Sequence, residues 1–150
     1  VNVIPDDMEY FTNSYFSIVN ETIFYGVPST NINPLFHQLN AEYSSIFISE
    51  KTYKCLAVKH PFVIFGRPGI IKGLHKLGFK TFSPYFNESY DDIIDDDERF
   101  DAIFNEITRL IHLSDDEWVE ILKNIQPILD HNHSLFFNNI TPAFIKLCSL

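Results

Sequence analysis

The chain is poor in cysteine and contains no long apolar run. Its two cysteines, Cys55 and Cys148, are too few for a disulfide framework, so we expect both thiols to be reduced and the protein to be cytoplasmic. No apolar stretch has the length needed to cross a bilayer, and no charged-then-apolar segment has the pattern of a secretion signal. We therefore expect no membrane span.

Basic residues are also scarce. The chain has 11 Lys and Arg against 20 Asp and Glu, which gives a net charge of −9, whereas a nucleic-acid surface needs a basic patch. We therefore expect no nucleic-acid partner. Hydrophobic residues occupy 45% of the 150 positions, which is enough to bury the core of one domain over residues 1–150. Because the chain begins with Val1, a fragment of a larger two-domain enzyme is an open interpretation.

Several catalytic signatures are missing. The sequence has no G-x-S-x-G elbow, no P-loop and no G-x-G-x-x-G fingerprint, so it does not support serine-nucleophile or P-loop chemistry. His131 and His133 lie close together but lack the spacing and partners of a zinc site, so no metal site is predicted. The acidic run from Asp91 to Glu98 is interpreted as a solvated loop followed by the negative start of a helix. Glu88, just before this run, is a candidate for facing a bound donor or acceptor.

The apolar patterns alternate between strand and helix periodicity. Short aromatic and β-branched runs predict strands at Ser14–Glu21, Phe62–Phe65 and Phe79–Phe82. Helices are predicted after Ser49, after the turn Gly66–Gly69, over Glu98–His112, after the capping box Ser114–Glu117, and after Thr141. Residues 27–33 are predicted to form a loop. This order implies an α/β fold with a small parallel sheet, right-handed crossovers and a helical C-terminal part.

Some details of the helices follow from single residues. Pro61 is predicted to stop the first helix, Gly78 to end the second in a left-handed conformation, and Pro127 to kink or break the helix after Ser114. The inward face of the helix over Glu98–His112 is predicted to consist of Phe100, Ile103, Phe104, Ile107, Leu110 and Ile111.

The polar cluster Ser49–Thr52 stands out because it follows an apolar run and opens a helix. Ser49 is a predicted N-cap, and a helix N-terminus has free N–H groups that suit an anion such as a phosphate. Lys51 adds a positive charge, and Glu50 can accept hydrogen bonds from a ribose. Because ligands of parallel sheets bind beyond the carboxyl ends of the strands, we expect this cluster and Arg67, in the turn after the next strand, to share one ligand-binding edge.

The cluster also carries a resemblance to a known family. Phe47-Ile48-Ser49-Glu50-Lys51, an apolar helix, Pro61, a hydrophobic strand and Gly66 together resemble the donor-binding half of GT-B glycosyltransferases, above all α-1,3-fucosyltransferases. The resemblance covers roughly residues 14–130, and its downstream part, around residues 78–91, resembles proteins of viral or phage origin. It implies a Rossmann-like three-layer domain in which Glu50 binds the nucleotide ribose and Lys51 binds the diphosphate. Asn20, at the end of the preceding strand, is the approximate counterpart of a family asparagine.

The function implied by this resemblance is transfer of a sugar from a GDP- or UDP-sugar to a glycan or other hydroxyl acceptor. The candidate donor-binding residues are Asn20, Ser49, Glu50, Lys51 and Arg67, and no cofactor is expected. The family's acceptor-binding domain and the arginine expected upstream of its motif have no counterpart here, since the first arginine is Arg67. No catalytic base is assigned. The alternative is a non-catalytic interaction module of viral origin that keeps the fold, and the oligomeric state stays open.

Overall fold

The computed structural model describes residues 8–22, 24 and 48–140. The elements in chain order are α1 (Met8–Thr12), β1 (Ser17–Asn20), α2 (Glu50–Ala57), β2 (Phe62–Phe65), α3 (Ile70–Lys76), α4 (Asp96–Ile111) and α5 (Asp115–Leu135). A 3₁₀ turn covers Ser89–Asp92, and α5 continues into a π-helical turn over Phe136–Ile140. The loop predicted at residues 27–33 and the helix predicted after Thr141 lie outside the described residues.

The two strands form a small parallel sheet. Ser17 lies opposite Phe62 and Asn20 opposite Phe65, and the Glu21 N–H donates to the Phe65 carbonyl oxygen at 2.9 Å, just past the strand ends. The predicted α/β class with a small parallel sheet and a helical C-terminal part is therefore confirmed. Strand β1 is shorter than the predicted Ser14–Glu21. Every helix in the described ranges is too short or too polar to span a bilayer.

The strand predicted at Phe79–Phe82 is wrong. Phe79 and Phe82 are buried, but the backbone between them forms hydrogen bonds with a side chain. The Asn132 amide accepts from the Lys80 N–H and donates to the Lys80 carbonyl oxygen, both at 2.8 Å. One buried amide on α5 therefore satisfies the backbone groups that a neighbouring strand would have satisfied.

The buried face of α4 differs from the predicted one. Ile103, Ile107 and Leu110 are buried, but Phe100, Phe104 and Ile111 are 48%, 56% and 61% exposed. The remaining inward positions of α4 are taken by two charged residues, Arg99 and Glu106. Charged side chains that satisfy buried hydrogen bonds therefore rotate the helix away from the face that hydrophobicity alone predicts.

The predicted helix ends are largely confirmed. The Ser49 hydroxyl caps α2, which ends at Ala57 before Pro61, and Gly78 has a φ of 90° just after α3. Ser114 and Glu117 form the reciprocal capping box of α5. The helix α5 is not broken at Pro127, because it runs continuously to Leu135.

Candidate functional site

The carboxyl end of β1 and the start of α2 are joined by a buried carboxylate. Glu21 directly follows β1 and is only 3% exposed. Its two oxygens accept from the Ser49 N–H at 3.1 and 3.2 Å, and one of them also accepts from the Thr52 hydroxyl at 2.5 Å. Burial, with a smaller contribution from the Glu21 charge, raises the pKa of the nearby Tyr53 hydroxyl. The first turn of α2 is thus fixed against the end of the sheet.

Four of the five predicted donor-binding residues are brought together here. The Ser49 hydroxyl accepts from the Lys51 N–H at 3.3 Å, and the Lys51 ammonium donates to the Asn20 carbonyl oxygen at 2.9 Å on the surface. Glu50 begins α2 and is exposed. Asn20, Ser49, Glu50 and Lys51 therefore cluster at the carboxyl end of β1.

Arg67 lies on the same edge but is not joined to this cluster by a hydrogen bond within the described residues. It follows the end of β2, and its carbonyl oxygen accepts from the Ile70 N–H at 3.3 Å, which shapes the turn into α3. The Glu21–Phe65 backbone bond ties the ends of the two strands. Arg67 therefore shares the sheet edge with Lys51.

Glu21 is a member of this site that the sequence motif did not predict. Its carboxylate changes the electrostatics of the helix start, because a negative charge already lies where a phosphate was expected. Two N–H groups of that turn, those of Ser49 and Lys51, have intramolecular acceptors. The Lys51 ammonium, rather than these N–H groups, is consequently the positive charge that this cluster offers to an anion. An acidic residue directly after an apolar strand was the signal that could have indicated Glu21.

The start of α3 is held in a similar way by Asp91. Its carboxylate accepts from the Ile71 N–H at 2.9 Å and the Lys72 N–H at 3.1 Å, and its carbonyl oxygen accepts from the Gly69 N–H at 2.9 Å. Gly69 has a φ of 84°, which favours glycine. Asp91 is 5% exposed, so the expectation that the acidic run is solvated is wrong at its first residue. The expected negative helix start is confirmed farther on, where Asp95 caps α4.

Arg99 connects these segments from below the surface. Its guanidinium is fully buried and donates to the carbonyl oxygens of Gly66 at 3.2 Å, Ile93 at 3.1 Å and Phe24 at 2.7 Å. It also pairs with Asp96 at 2.6 Å and lies over the Phe24 ring, 4.5 Å from the ring centre. One side chain therefore links the end of β2, the loop before α4 and the chain that follows β1. No sequence signal identified it, since an arginine within a helix is usually exposed.

The Glu88 carboxylate forms hydrogen bonds within the protein. Its carboxylate accepts from the Thr81 hydroxyl at 2.6 Å and the Phe82 N–H at 2.8 Å, and Thr81 is also 2.8 Å from Nε2 of His75. Burial raises the pKa of the Glu88 carboxyl, and these hydrogen bonds partly offset the rise. These contacts give Glu88 a structural role in the segment after α3.

Two further observations concern possible metal ligands and the similarity of the chain to known proteins. In residues 8–22, 24 and 48–140, no group of three or more His, Cys, Asp and Glu side chains is arranged to hold a metal ion. The sequence matches no protein-family model, and comparisons with curated proteins and with solved structures return no match.

Proposed function

We propose that the chain is a Rossmann-like, glycosyltransferase-like domain that binds a nucleoside-diphosphate sugar at the carboxyl edge of β1 and β2. The observation that carries this proposal is the clustering of Asn20, Glu50 and Lys51 at that edge, where α/β sheets bind ligands. In this proposal the sugar is transferred to a hydroxyl group of a glycan or other acceptor.

Lys51 has the central role in donor binding. An ammonium group has three N–H donors, and one of them is directed at the Asn20 carbonyl oxygen. Among the described residues the remaining donors have no acceptor, so they and the full charge can bind diphosphate oxygens. In a transfer reaction, Lys51 together with Arg67 would offset the negative charge that develops on the leaving nucleoside diphosphate.

Glu50 and Ser49 have different roles. Glu50 is exposed on the first turn of α2, so its carboxylate can accept hydrogen bonds from the two ribose hydroxyls. Ser49 is 4% exposed, and its hydroxyl is used by the Lys51 N–H. Ser49 thus positions Lys51 by fixing the helix start.

A second candidate function is a non-catalytic interaction module of viral origin with the same fold. The observation that favours it is the Glu21 carboxylate, which neutralises the start of α2 from within the protein and repels a phosphate from its N–H groups. A domain of this kind would retain the sheet edge without binding a donor.

Isothermal titration with GDP, UDP and their sugars separates the two candidates. We expect at least one of these ligands to bind, and Lys51→Met to weaken binding about tenfold or more because a charge-assisted contact is lost. Lys54→Met is the matched control, because Lys54 is an exposed lysine on the same helix, and it should leave the affinity unchanged.

Two outcomes would contradict the proposal. If none of the four ligand types binds, the domain is not a donor-binding domain and the interaction module is favoured. If a ligand binds but Lys51→Met and Glu50→Gln both retain full affinity, the site lies elsewhere on the protein. Transfer itself is measured separately, as nucleoside diphosphate released in the presence of glycan acceptors.

A further inference from the structure

A groove lined by aromatic rings opens beside the predicted donor edge. Phe24, Phe65 and Phe100 form its apolar part, and Asn20, Asp97 and Asp96, which pairs with Arg99, contribute polar groups. Its volume is about 420 Å³, which is within the range of small-molecule sites. We call it the aromatic groove.

Part of the apolar surface of this groove is exposed. Phe100 is 48% exposed, and the next turn of α4 presents Phe104, whose ring is parallel to that of Phe100 with the centres 6.4 Å apart. Ile18, on β1, is 53% exposed and also lines the groove. Contiguous apolar surface of this kind on a protein commonly marks a binding site.

The polar groups of the groove limit the class of ligand. Among the described residues, neither the Asn20 side chain nor the Asp97 carboxylate has a hydrogen-bond partner, and the Asp97 side chain is exposed. The carboxylate accepts hydrogen bonds and repels anions, so it favours a neutral ligand rich in hydroxyl groups. The aromatic faces carry negative charge density that attracts weakly positive C–H groups. A sugar ring meets both requirements, because its hydroxyls surround a flat face of C–H groups.

We propose that the aromatic groove binds a neutral pyranose ring. The backbone of Asn20 accepts from Lys51 while its side chain lines the groove, so the groove begins where the donor cluster ends. The inference rests on the proposed function for the source of the sugar, which is either the acceptor glycan or the sugar part of the donor. In both cases the ring stacks on Phe100, and its hydroxyls donate to Asp97 and Asn20.

Saturation-transfer NMR tests this assignment directly. The probes are methyl β-glucoside and methyl β-galactoside, which carry no nucleotide, and UDP-glucose and GDP-mannose. When the protein's aromatic protons are irradiated, we expect signal on the ring protons of the sugar. Signal on a methyl glycoside identifies an acceptor site, whereas sugar signal on the nucleotide sugars alone identifies the donor sugar.

Matched variants connect the signal to the groove. Phe100→Ala and Asp97→Ala should each weaken sugar binding about tenfold, as expected for loss of a central aromatic or polar contact. Val119→Ala removes an exposed apolar side chain on α5 and should have no effect. Thermal unfolding of each variant checks that it is folded. If Phe100→Ala does not fold, Asp97→Ala still tests the groove.

Three results would overturn the inference: no sugar signal from any probe, signal confined to the nucleobase protons, or unchanged sugar binding in both variants. A failure here differs from a failure of the donor proposal. If only the groove assignment is wrong, Lys51→Met still weakens nucleotide binding while Phe100→Ala does not. If only the donor proposal is wrong, methyl glycosides still bind and GDP and UDP do not.

Discussion

Glu21 and Thr52 are joined by a buried hydrogen bond of 2.5 Å although 31 positions separate them in the chain. The same carboxylate accepts from the Ser49 N–H, so a single side chain fixes α2 to the end of β1. This contact determines where Glu50 and Lys51 lie, and it makes the stability of the domain and the geometry of the candidate site depend on the same residue.

Replacing Glu21 should therefore destabilise the domain. In Glu21→Ala the Ser49 N–H and the Thr52 hydroxyl lose their buried acceptor, and we expect the free energy of unfolding to fall by about 3 kcal/mol. Glu21→Gln keeps one acceptor oxygen and should cost less. Urea unfolding gives the values, with the exposed Glu50→Ala as control. Equal stability of Glu21→Ala and the parent would show that the carboxylate has no structural role.

Arg99 should be among the most sensitive positions. Removing its guanidinium in Arg99→Met leaves the carbonyl oxygens of Gly66, Ile93 and Phe24 without their donor, so we expect a loss of about 3 kcal/mol or more. Thermal unfolding monitored by circular dichroism measures the loss. Lys123→Met, on the exposed side of α5, should change the midpoint little, and a similarly small change for Arg99→Met would contradict the structure.

His60 should make the domain acid-sensitive. Burial lowers the pKa of this imidazole below its ordinary value of 6.5, and its ring lies edge-on to Phe11 with the ring centres 5.2 Å apart. The unfolded chain therefore binds the proton more readily than the folded protein does. The free energy of unfolding is highest above the pKa of the unfolded state, and it decreases as the pH falls through the lower pKa of the folded state. We expect His60→Gln to reduce the difference between urea midpoints measured near pH 7.5 and near pH 5. An unchanged difference in that variant would assign the acid sensitivity to other groups.

Cys55 should be unreactive in the folded protein. Burial raises the pKa of its thiol to about 11, and the residue is 2% exposed. At pH 8 roughly one molecule in a thousand carries the thiolate. In a Cys148→Ser background, iodoacetamide should label Cys55 only after denaturation, whereas an added Lys54→Cys on the same helix should be labelled at once. Rapid labelling of Cys55 in the native state would show that α2 opens readily.

The local features of the fold were predictable because each depends on neighbouring residues. Ser49 and Ser114 cap helices through N–H groups two or three positions away, and the unbroken apolar run Phe62–Phe65 forms a strand. The strand predicted at Phe79–Phe82 failed because its partner, Asn132, lies more than fifty positions later. The buried face of α4 was misjudged for a related reason, since hydrophobicity gives no indication that Arg99 has enough distant acceptors to be buried.

The residues of the candidate site likewise fall into those that nearby sequence predicts and those that depend on distant residues. Asn20, Ser49, Glu50 and Lys51 were predicted from a short motif, and the structure brings them together. Glu21 was missed as a member of the site because its partners belong to a helix that begins almost thirty residues later. Phe100 and Phe104 were predicted to face inward, and instead their two parallel rings lie at the surface.

The two acidic side chains at the helix starts, Glu21 and Asp91, also bear on how fast the proposed donor would bind. Each anchors one helix to a distant segment through buried hydrogen bonds, so neither helix can shift without breaking them. At the described residues of this edge, the proposed donor would therefore meet an arrangement that is already formed, and little ordering entropy would be lost there on association. Stopped-flow mixing should give one phase whose rate rises in proportion to ligand concentration, without the slow step that rearrangement of the protein would add.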